Sequence, residues 1–536
     1  MSLKSLHTGF TFSDEMMNMH KNTKIVLLLA VLVAGNMLLW TSNTMARKND
    51  AFEQIGLLTA LRRELVVSHV EEPDQDKMLR AAVEGMISSL GDPYTTYLFP
   101  EDMKQFDKHV GGSFSGIGAE VIIDETLKRV KIVSPLEESP AWKSGVLAGD
   151  IIYEIDGEDT EGLSIRDAVD RLTGPVGTDV TILVRRKTGE KETITITRAV
   201  INIQTVKGFS RDKDHHWDFM LDDINKVGYI RLTQFNKNSG PDMRAALEEL
   251  KTQGAKAVIL DLRFDPGGLL PTAIEVADMF LPGGKKIVSV KGRVVPEATE
   301  YSTDAGTVFD GEVIVLANES SASASEIVTG ALHDNHRGKF VGTRTFGKGS
   351  VQQVRPLASG EGALKITNAY YYLPNGEKIH RVKDAETWGV NPDPGFYVAM
   401  QPKQITDMIK IRREGDVLND ENGAEKRKNI TPDWIRDNLK DIQLAAGLQA
   451  AIGKINTGDW PKVGTDGSDD VRNAILMENL IRTRELLQER MMDIEKQIKK
   501  IEAGEPIEDD MSADAKAVKD TPDDANSEVK ELAPAE

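Results

Sequence analysis

The chain has 536 residues, with 66 Lys and Arg against 85 Asp and Glu and a formal net charge of −19. That length holds about three domains, and 40% hydrophobic with 28% charged residues marks a mostly globular chain rather than a disordered or polytopic one. The acidic balance, with no Lys/Arg block, argues against a nucleic-acid partner. The absence of cysteine excludes disulfide scaffolds, thiolate zinc sites, iron–sulfur clusters and cysteine nucleophiles.

Residues 1–24 read as a cytoplasmic N-terminus. Ile25 to Trp40 is an uncharged run of 16 residues behind Lys21 and Lys24. It is shorter than the about 20 residues of a spanning helix and close to the core of a signal peptide. Two readings stand: a signal cleaved near Thr44 and Ala46, or an uncleaved anchor in the inner membrane. Lysines on the N-terminal side keep that end in the cytoplasm, so the rest is expected to be exported, periplasmic or on the extracytoplasmic face of the membrane.

Residues 47–109 carry apolar side chains at three- and four-residue spacing, which predicts helices up to the breaker Gly91-Asp92-Pro93. Residues 110–203 change to short β-type runs (RVKIVS, DIIYEIDG, DVTILVRR, ETITITRAV) separated by turn residues. One helix interrupts them, SIRDAVDRLTG, with Ser164 as N-cap and Ile165, Ala168, Val169 and Leu172 on one face. From 204 to 400 strands and helices alternate, which predicts an α/β core with a mixed, mostly parallel sheet. Its strand AVILDLR is so apolar that both faces must be covered. Residues 401–463 are helical and polar. Within 464–503, Leu480, Leu487, Met491, Ile494, Ile498 and Ile501 form an apolar stripe with no Gly or Pro from Asp469 to Ile501. This stripe either joins subunits into a homo-oligomer through 469–501 or packs on 433–455. Residues 504–536 hold 11 acids and 3 lysines without an aromatic, the composition of a disordered acidic tail.

Three segments could carry chemistry. Strand Glu312–Asn318 runs into Glu319-Ser320-Ser321-Ala322-Ser323-Ala324-Ser325-Glu326 and then a helix, where a serine could act as nucleophile with free N–H groups beside it. Ser323 to Glu326 is also a capping box, and that segment by itself favours the cap. Gly342 to Ser350 nearly matches a phosphate loop, but Gly349 replaces the hydroxyl and a strand follows, so no nucleotide is expected. Lys348 between glycines instead suggests a packed lysine whose pKa falls on burial and which can deprotonate a serine. Asp261 to Gly268 ends a buried strand in Pro266-Gly267-Gly268, where a backbone N–H can face an oxyanion. His333, His336 and His380 lie in no constellation that needs them, and no metal is assigned.

Taken together, GDPYTTYL (91–98), GGSFSGIGAEV (111–121), GYIRLTQF (228–235), DLRFDPGG (261–268), SASASEI (321–327), FGKGSVQ (346–352) and GVNPDP (389–394) resemble the carboxy-terminal processing peptidases. These are tail-specific Ser/Lys proteases with a PDZ domain, and the resemblance covers about 60–400. It implies Ser323 as nucleophile, Lys348 as general base and Gln352 as the group that orients the lysine. The departure is Phe264-Asp265, where an Asn-rich pair is commoner. The expected oxyanion donors are Ala324 and either Gly267 or Gly268. The PDZ-like domain at 110–203 would hold a substrate's terminal carboxylate on the N–H groups of Gly116, Ile117 and Gly118, with the tail between strand 119–123 and helix 164–173. The function implied is an exported endopeptidase acting on the C-terminal tails of exported proteins, without a cofactor and with room for an adaptor protein. The alternative is a catalytically silent PDZ scaffold that binds such tails.

Overall fold

A computed structural model describes residues 55–100, 102, 103, 106, 111–212, 215–357, 362–383, 385, 387–417, 430–467 and scattered positions between 477 and 494. The signal or anchor at 25–40, the acidic tail and most of 469–501 lie outside the described residues. Two units divide the chain at Asp92 and Pro93. In the first, a helix over 55–68 precedes helix Gln75–Ser88, whose start is fixed by Asp74, its carboxylate accepting from the N–H groups of Asp76 and Lys77 at 3.0 Å.

In the second unit the β-rich domain folds as anticipated. Strands Ala119–Asp124, Arg129–Pro135, Ile151–Ile155, Asp179–Arg185 and Lys191–Thr197 pair in that order, all antiparallel. Alternation does the work: Val180, Ile182 and Val184 turn inward with Ile194 and Ile196 against Val130, Ile132 and Ile152. Helix Ile165–Leu172 is capped by Ser164, whose Oγ accepts from Asp167 N–H at 3.2 Å. Its predicted face divides, since Ala168 and Leu172 are buried while Ile165 stays exposed. Strands Ser113–Gly116 and Ala199–Asn202 pair where the chain enters and leaves this domain, which makes it an insertion.

The core that follows contains two sheets where the pattern reading had one. The first runs Val206–Lys207, Val227–Leu232, Ala257–Asp261, Glu312–Ala317, Gly338–Gly342. Its last three pairings are parallel, while Val206–Lys207 and the short strand Met220–Asp222 both pair antiparallel with Val227–Leu232. Helices Ser239–Thr252, Leu270–Asp278 and Ala324–Asp334 share one apolar core with it. Helix Ile442–Thr457 packs into a second core built with Tyr229, Ile259, Ile314 and Leu316. Both faces are therefore covered, as the apolar strand required. The second sheet is antiparallel, Thr96–Leu98, Ala363–Tyr372, Lys286–Lys291, Ala298–Tyr301, with Ser350–Pro356 also on Ala363–Tyr372. The described positions from 477 to 494 are helical, with Leu480, Leu487, Met491 and Ile494 exposed.

Beneath the C-terminal end of the parallel strands lies a buried ion cluster. Arg263 donates to Asp261 at 2.7 and 2.9 Å and to Asp441 at 2.7 and 2.8 Å. The Tyr229 hydroxyl donates to Asp261 at 2.7 Å, and Arg412 reaches both carboxylates at 3.3 Å. Asp441 also caps helix Ile442–Thr457 through Leu444 N–H at 2.9 Å. Burial would raise the Asp261 carboxyl, but the Arg263 and Arg412 guanidiniums hold it well below the usual carboxylate range. Arg263→Leu should lower the unfolding free energy by about 3–5 kcal/mol, because two buried carboxylates keep only Arg412. The denaturant midpoint at neutral pH reads this, and an unchanged midpoint contradicts it.

Candidate active site

The parallel sheet delivers two loops to one place. Strand Glu312–Ala317 ends at Asn318, whose side-chain oxygen accepts from Phe264 N–H at 3.1 Å and Ser320 N–H at 3.2 Å. Ser321 Oγ accepts from Asn318 N–H at 2.9 Å and donates to the Leu262 carbonyl at 2.8 Å. Ala322 N–H and the Ser325 hydroxyl both donate to the Asp265 carbonyl at 3.0 Å. The serine loop is thus bound along its length to the loop after Asp261.

Ser323 follows with φ 58° and ψ −112°, immediately before helix Ala324–Asp334. A non-glycine residue held there costs about 1–3 kcal/mol, and such strain persists only where neighbours over-determine it. Gly267 is the neighbour that must be small. With φ +94°, a methyl group on it would stand 2.8 Å from Ala324 N and 2.9 Å from Ser323 Cβ. At Gly268 a methyl group would meet the Phe235 carbonyl oxygen at 2.0 Å.

Glu326 is the centre of the arrangement. Its carboxylate is fully buried and takes four donors: Ser323 N–H at 2.8 Å, Lys348 N–H at 2.8 Å, Gly347 N–H at 2.7 Å and the Thr345 hydroxyl at 2.6 Å. Burial pushes its pKa up to about 6 against the opposing pull of the four donors. One further bond ties the loops, Phe346 N–H to the Ser321 carbonyl at 3.0 Å.

Lys348 is half-buried. Desolvation lowers its pKa from the ordinary 10.5, Lys365 lowers it further, and the Glu326 carboxylate opposes both. Its Nζ stands 4.9 Å from the centre of the Tyr94 ring, and no hydrogen bond joins it to Ser323 or Gln352 among the described residues. The Gln352 amide donates instead to Ser350 Oγ at 2.9 Å and Thr367 Oγ1 at 3.2 Å. The Tyr371 hydroxyl, itself buried and pushed up, interacts with the Ser323 side chain.

The expected oxyanion donors separate here. Gly267 N–H is engaged, donating to Asp265 Oδ1 at 2.7 Å. Ala324 N–H and Gly268 N–H meet no acceptor among the described residues. In the β-rich domain, the Ile117 carbonyl accepts from Ala141 N–H at 2.8 Å, and the Gly118 carbonyl accepts from Leu136 N–H at 2.9 Å and the Ser139 hydroxyl at 2.8 Å. The Gly118 N–H donates to nothing among the described residues. Gly116 bridges to Thr173, at the end of helix Ile165–Leu172. His333 sits at the far end of helix Ala324–Asp334, paired with Asp334 at 2.9 Å. No metal-ligating cluster occurs among the described residues.

The sequence reading missed Tyr371 and Tyr94, and treated Glu326 only as a cap. Tyr94 lies in a quoted motif, yet nothing local tells which side chain it meets. Tyr371 reaches Ser323 because strand Ala363–Tyr372 pairs with Ser350–Pro356, Ser350 opposite Tyr370, a register no local pattern supplies.

Comparison with known proteins identifies the family of the chain. The profile of peptidase family S41 matches residues 226–394, and that of the PDZ domain matches residues 131–186. The carboxy-terminal-processing protease of Bartonella bacilliformis is 35% identical over 438 residues, covering 78% of this chain and 91% of the relative. The carboxy-terminal processing protease CtpA of Bacillus subtilis is 33% identical over 361 residues, covering 66% of this chain and 72% of the relative. A solved structure, the photosystem II D1 C-terminal processing protease, is 30% identical with a TM-score of 0.36, covering 63% of this chain and 85% of its own. The chain belongs to peptidase family S41: it is a serine-type peptidase of the carboxy-terminal processing protease group, carrying a PDZ domain.

Proposed function

We propose that the chain is an exported endopeptidase that captures C-terminal tails of exported proteins on its PDZ domain and cleaves them with Ser323 and Lys348. The observation that carries the reading is the Glu326 carboxylate, which binds the backbone of Ser323 and of Lys348 at 2.8 Å each. Residues far apart in sequence are thereby fixed as neighbours. Export is supported by the uncharged run from Ile25 to Trp40 behind Lys21 and Lys24.

In the first step neutral Lys348 takes the Ser323 hydroxyl proton as Oγ bonds to the substrate carbonyl carbon. Ala324 N–H and Gly268 N–H receive the negative oxygen, since Gly267 N–H is already donated to Asp265. The C–N bond then breaks, and the proton on Lys348 passes to the leaving amine. Water repeats the sequence on the acyl-enzyme, with Lys348 again as base. Gln352 orients the lysine only if its amide leaves Ser350 and Thr367. The tail carboxylate is received at the N–H groups of Gly116, Ile117 and Gly118, of which that of Gly118 is free among the described residues, and the exposed Ile165 side of the helix lines the groove.

Ser323→Ala should lower kcat about 10⁴-fold or more, and Lys348→Arg should fail similarly because a guanidinium stays protonated. Cleavage should rise with pH through an ionisation below 10.5, the ordinary lysine value, since only the neutral amine accepts the proton. Assay of a tail-bearing substrate against both variants decides. Equal cleavage by wild type and Ser323→Ala removes the serine assignment, and no cleavage by wild type favours the silent scaffold. A substrate whose tail is amidated should be cleaved about 10-fold or more slowly through a raised KM. Unchanged kinetics would remove the PDZ step.

A further inference from the structure

We propose that Asp265 acts as a neutral carboxylic acid beneath the oxyanion donors, positioning Gly267 and Gly268, and that cleavage is lost when it ionises. The inference deepens the reading above and rests on it for the role of those donors.

Asp265 is fully buried. Its Oδ1 accepts from Gly267 N–H at 2.7 Å, and its Oδ2 is buried with no hydrogen-bond partner among the described residues. A carboxylate left in that state lacks both solvation and a counter-charge. The charged groups around it are occupied with others. On its own loop, Asp261 and Arg263 close on each other and on Asp441. From helix Ala324–Asp334, Glu326 is committed to Ser323, Thr345, Gly347 and Lys348, while His333 and Asp334 pair at the other end. From the loop before that helix, Glu319 takes the Thr343 hydroxyl. From the loop between Gly342 and Ser350, Arg344 bonds Asn391 and Lys348 faces Tyr94. None of these forms a hydrogen bond or ion pair with Asp265. Asn318, Ser321 and Ser325 are uncharged, and the Ser325 hydroxyl, which donates to the Asp265 carbonyl, also lies close enough to the carboxyl to favour its charged form.

Burial accordingly pushes the Asp265 carboxyl well above its ordinary 3.8, and the Gly267 N–H and the Ser325 hydroxyl only partly oppose this. In the neutral form Oδ1 still fixes the Gly267 peptide, which turns the next N–H, that of Gly268, toward the carbonyl to be attacked. Ionisation would place a negative charge one peptide away from the group that must receive the oxyanion. The acid limb of activity then belongs to Lys348, which must lose its proton, and the alkaline limb to Asp265, which must keep its own.

The test uses the full chain. Infrared spectra of wild type minus Asp265→Asn at neutral pH should show a carboxylic-acid C=O band that vanishes on raising the pH. In wild type kcat/KM should fall about tenfold per pH unit past the same midpoint, while Asp265→Asn, whose amide cannot ionise, keeps the acid limb and lacks the fall. If Asp265→Asn does not fold, ¹³C-aspartate labelling of wild type must show the band and its loss tracking activity. No band at neutral pH, or the same alkaline fall in both proteins, overturns the proposal. Cleavage by Ser323→Ala would instead sink the catalytic reading and leave the infrared result standing by itself.

Discussion

Everything at the candidate active site hangs on one buried carboxylate. Glu326 sits three residues into the helix that begins after Ser323, and its four donors come from two separate parts of the chain. A buried charge without partners would be strongly unfavourable, so the fold holds only when the serine elbow and the Lys348 loop both close on it. That mutual dependence explains how Ser323 can keep a φ of 58°. The strain is paid by hydrogen bonds that would be lost if the backbone relaxed.

A second layer sets the opposing wall. The Asp261–Arg263–Asp441 cluster locks the end of strand Ala257–Asp261 to the cap of helix Ile442–Thr457. From that fixed point the chain needs only the turn at Phe264 to Gly268 to bring its glycines against Ser323. Both positive-φ glycines there meet backbone atoms that no side chain could approach. The charges of the two layers remain separate: Arg263 bonds its own carboxylates, and no ion pair joins Lys348 to Glu326 among the described residues. The low solvation that depresses Lys348 is therefore not cancelled by a full ion pair.

Much of this was legible in the sequence because it is local. The Ser164 cap, the doubly covered strand at 257–261 and the helix after Ser323 follow from residue type and spacing over a few positions. Ser323 and Lys348 emerged from the order of several short motifs rather than from any one. What stayed hidden depends on register between distant strands. Two sheets were read as one because the segments at 286–291 and 363–372 carry no mark of their partner. Glu326 satisfies a capping pattern, and the same carboxylate's hold on Gly347 and Lys348 has no sequence signal. Gly267 looked like an oxyanion donor, but Asp265 two residues earlier takes its N–H. Gln352 stands four residues after Lys348 on a strand, where alternation and the pairing with Thr367 aim it at Ser350.

The central claim is that Glu326 couples a nucleophilic Ser323 to its base, Lys348. The rate at which a fluorophosphonate modifies the protein, with the adduct mapped by mass, tests it directly in wild type and Glu326→Gln. The amide offers one acceptor and turns an N–H₂ group toward donors, so the two loops should separate while the buried core persists. The account predicts an adduct on Ser323 in wild type, formed roughly 10–100-fold more slowly in the folded Glu326→Gln protein. An adduct on another residue, or equal rates at Ser323 in both proteins, would contradict it.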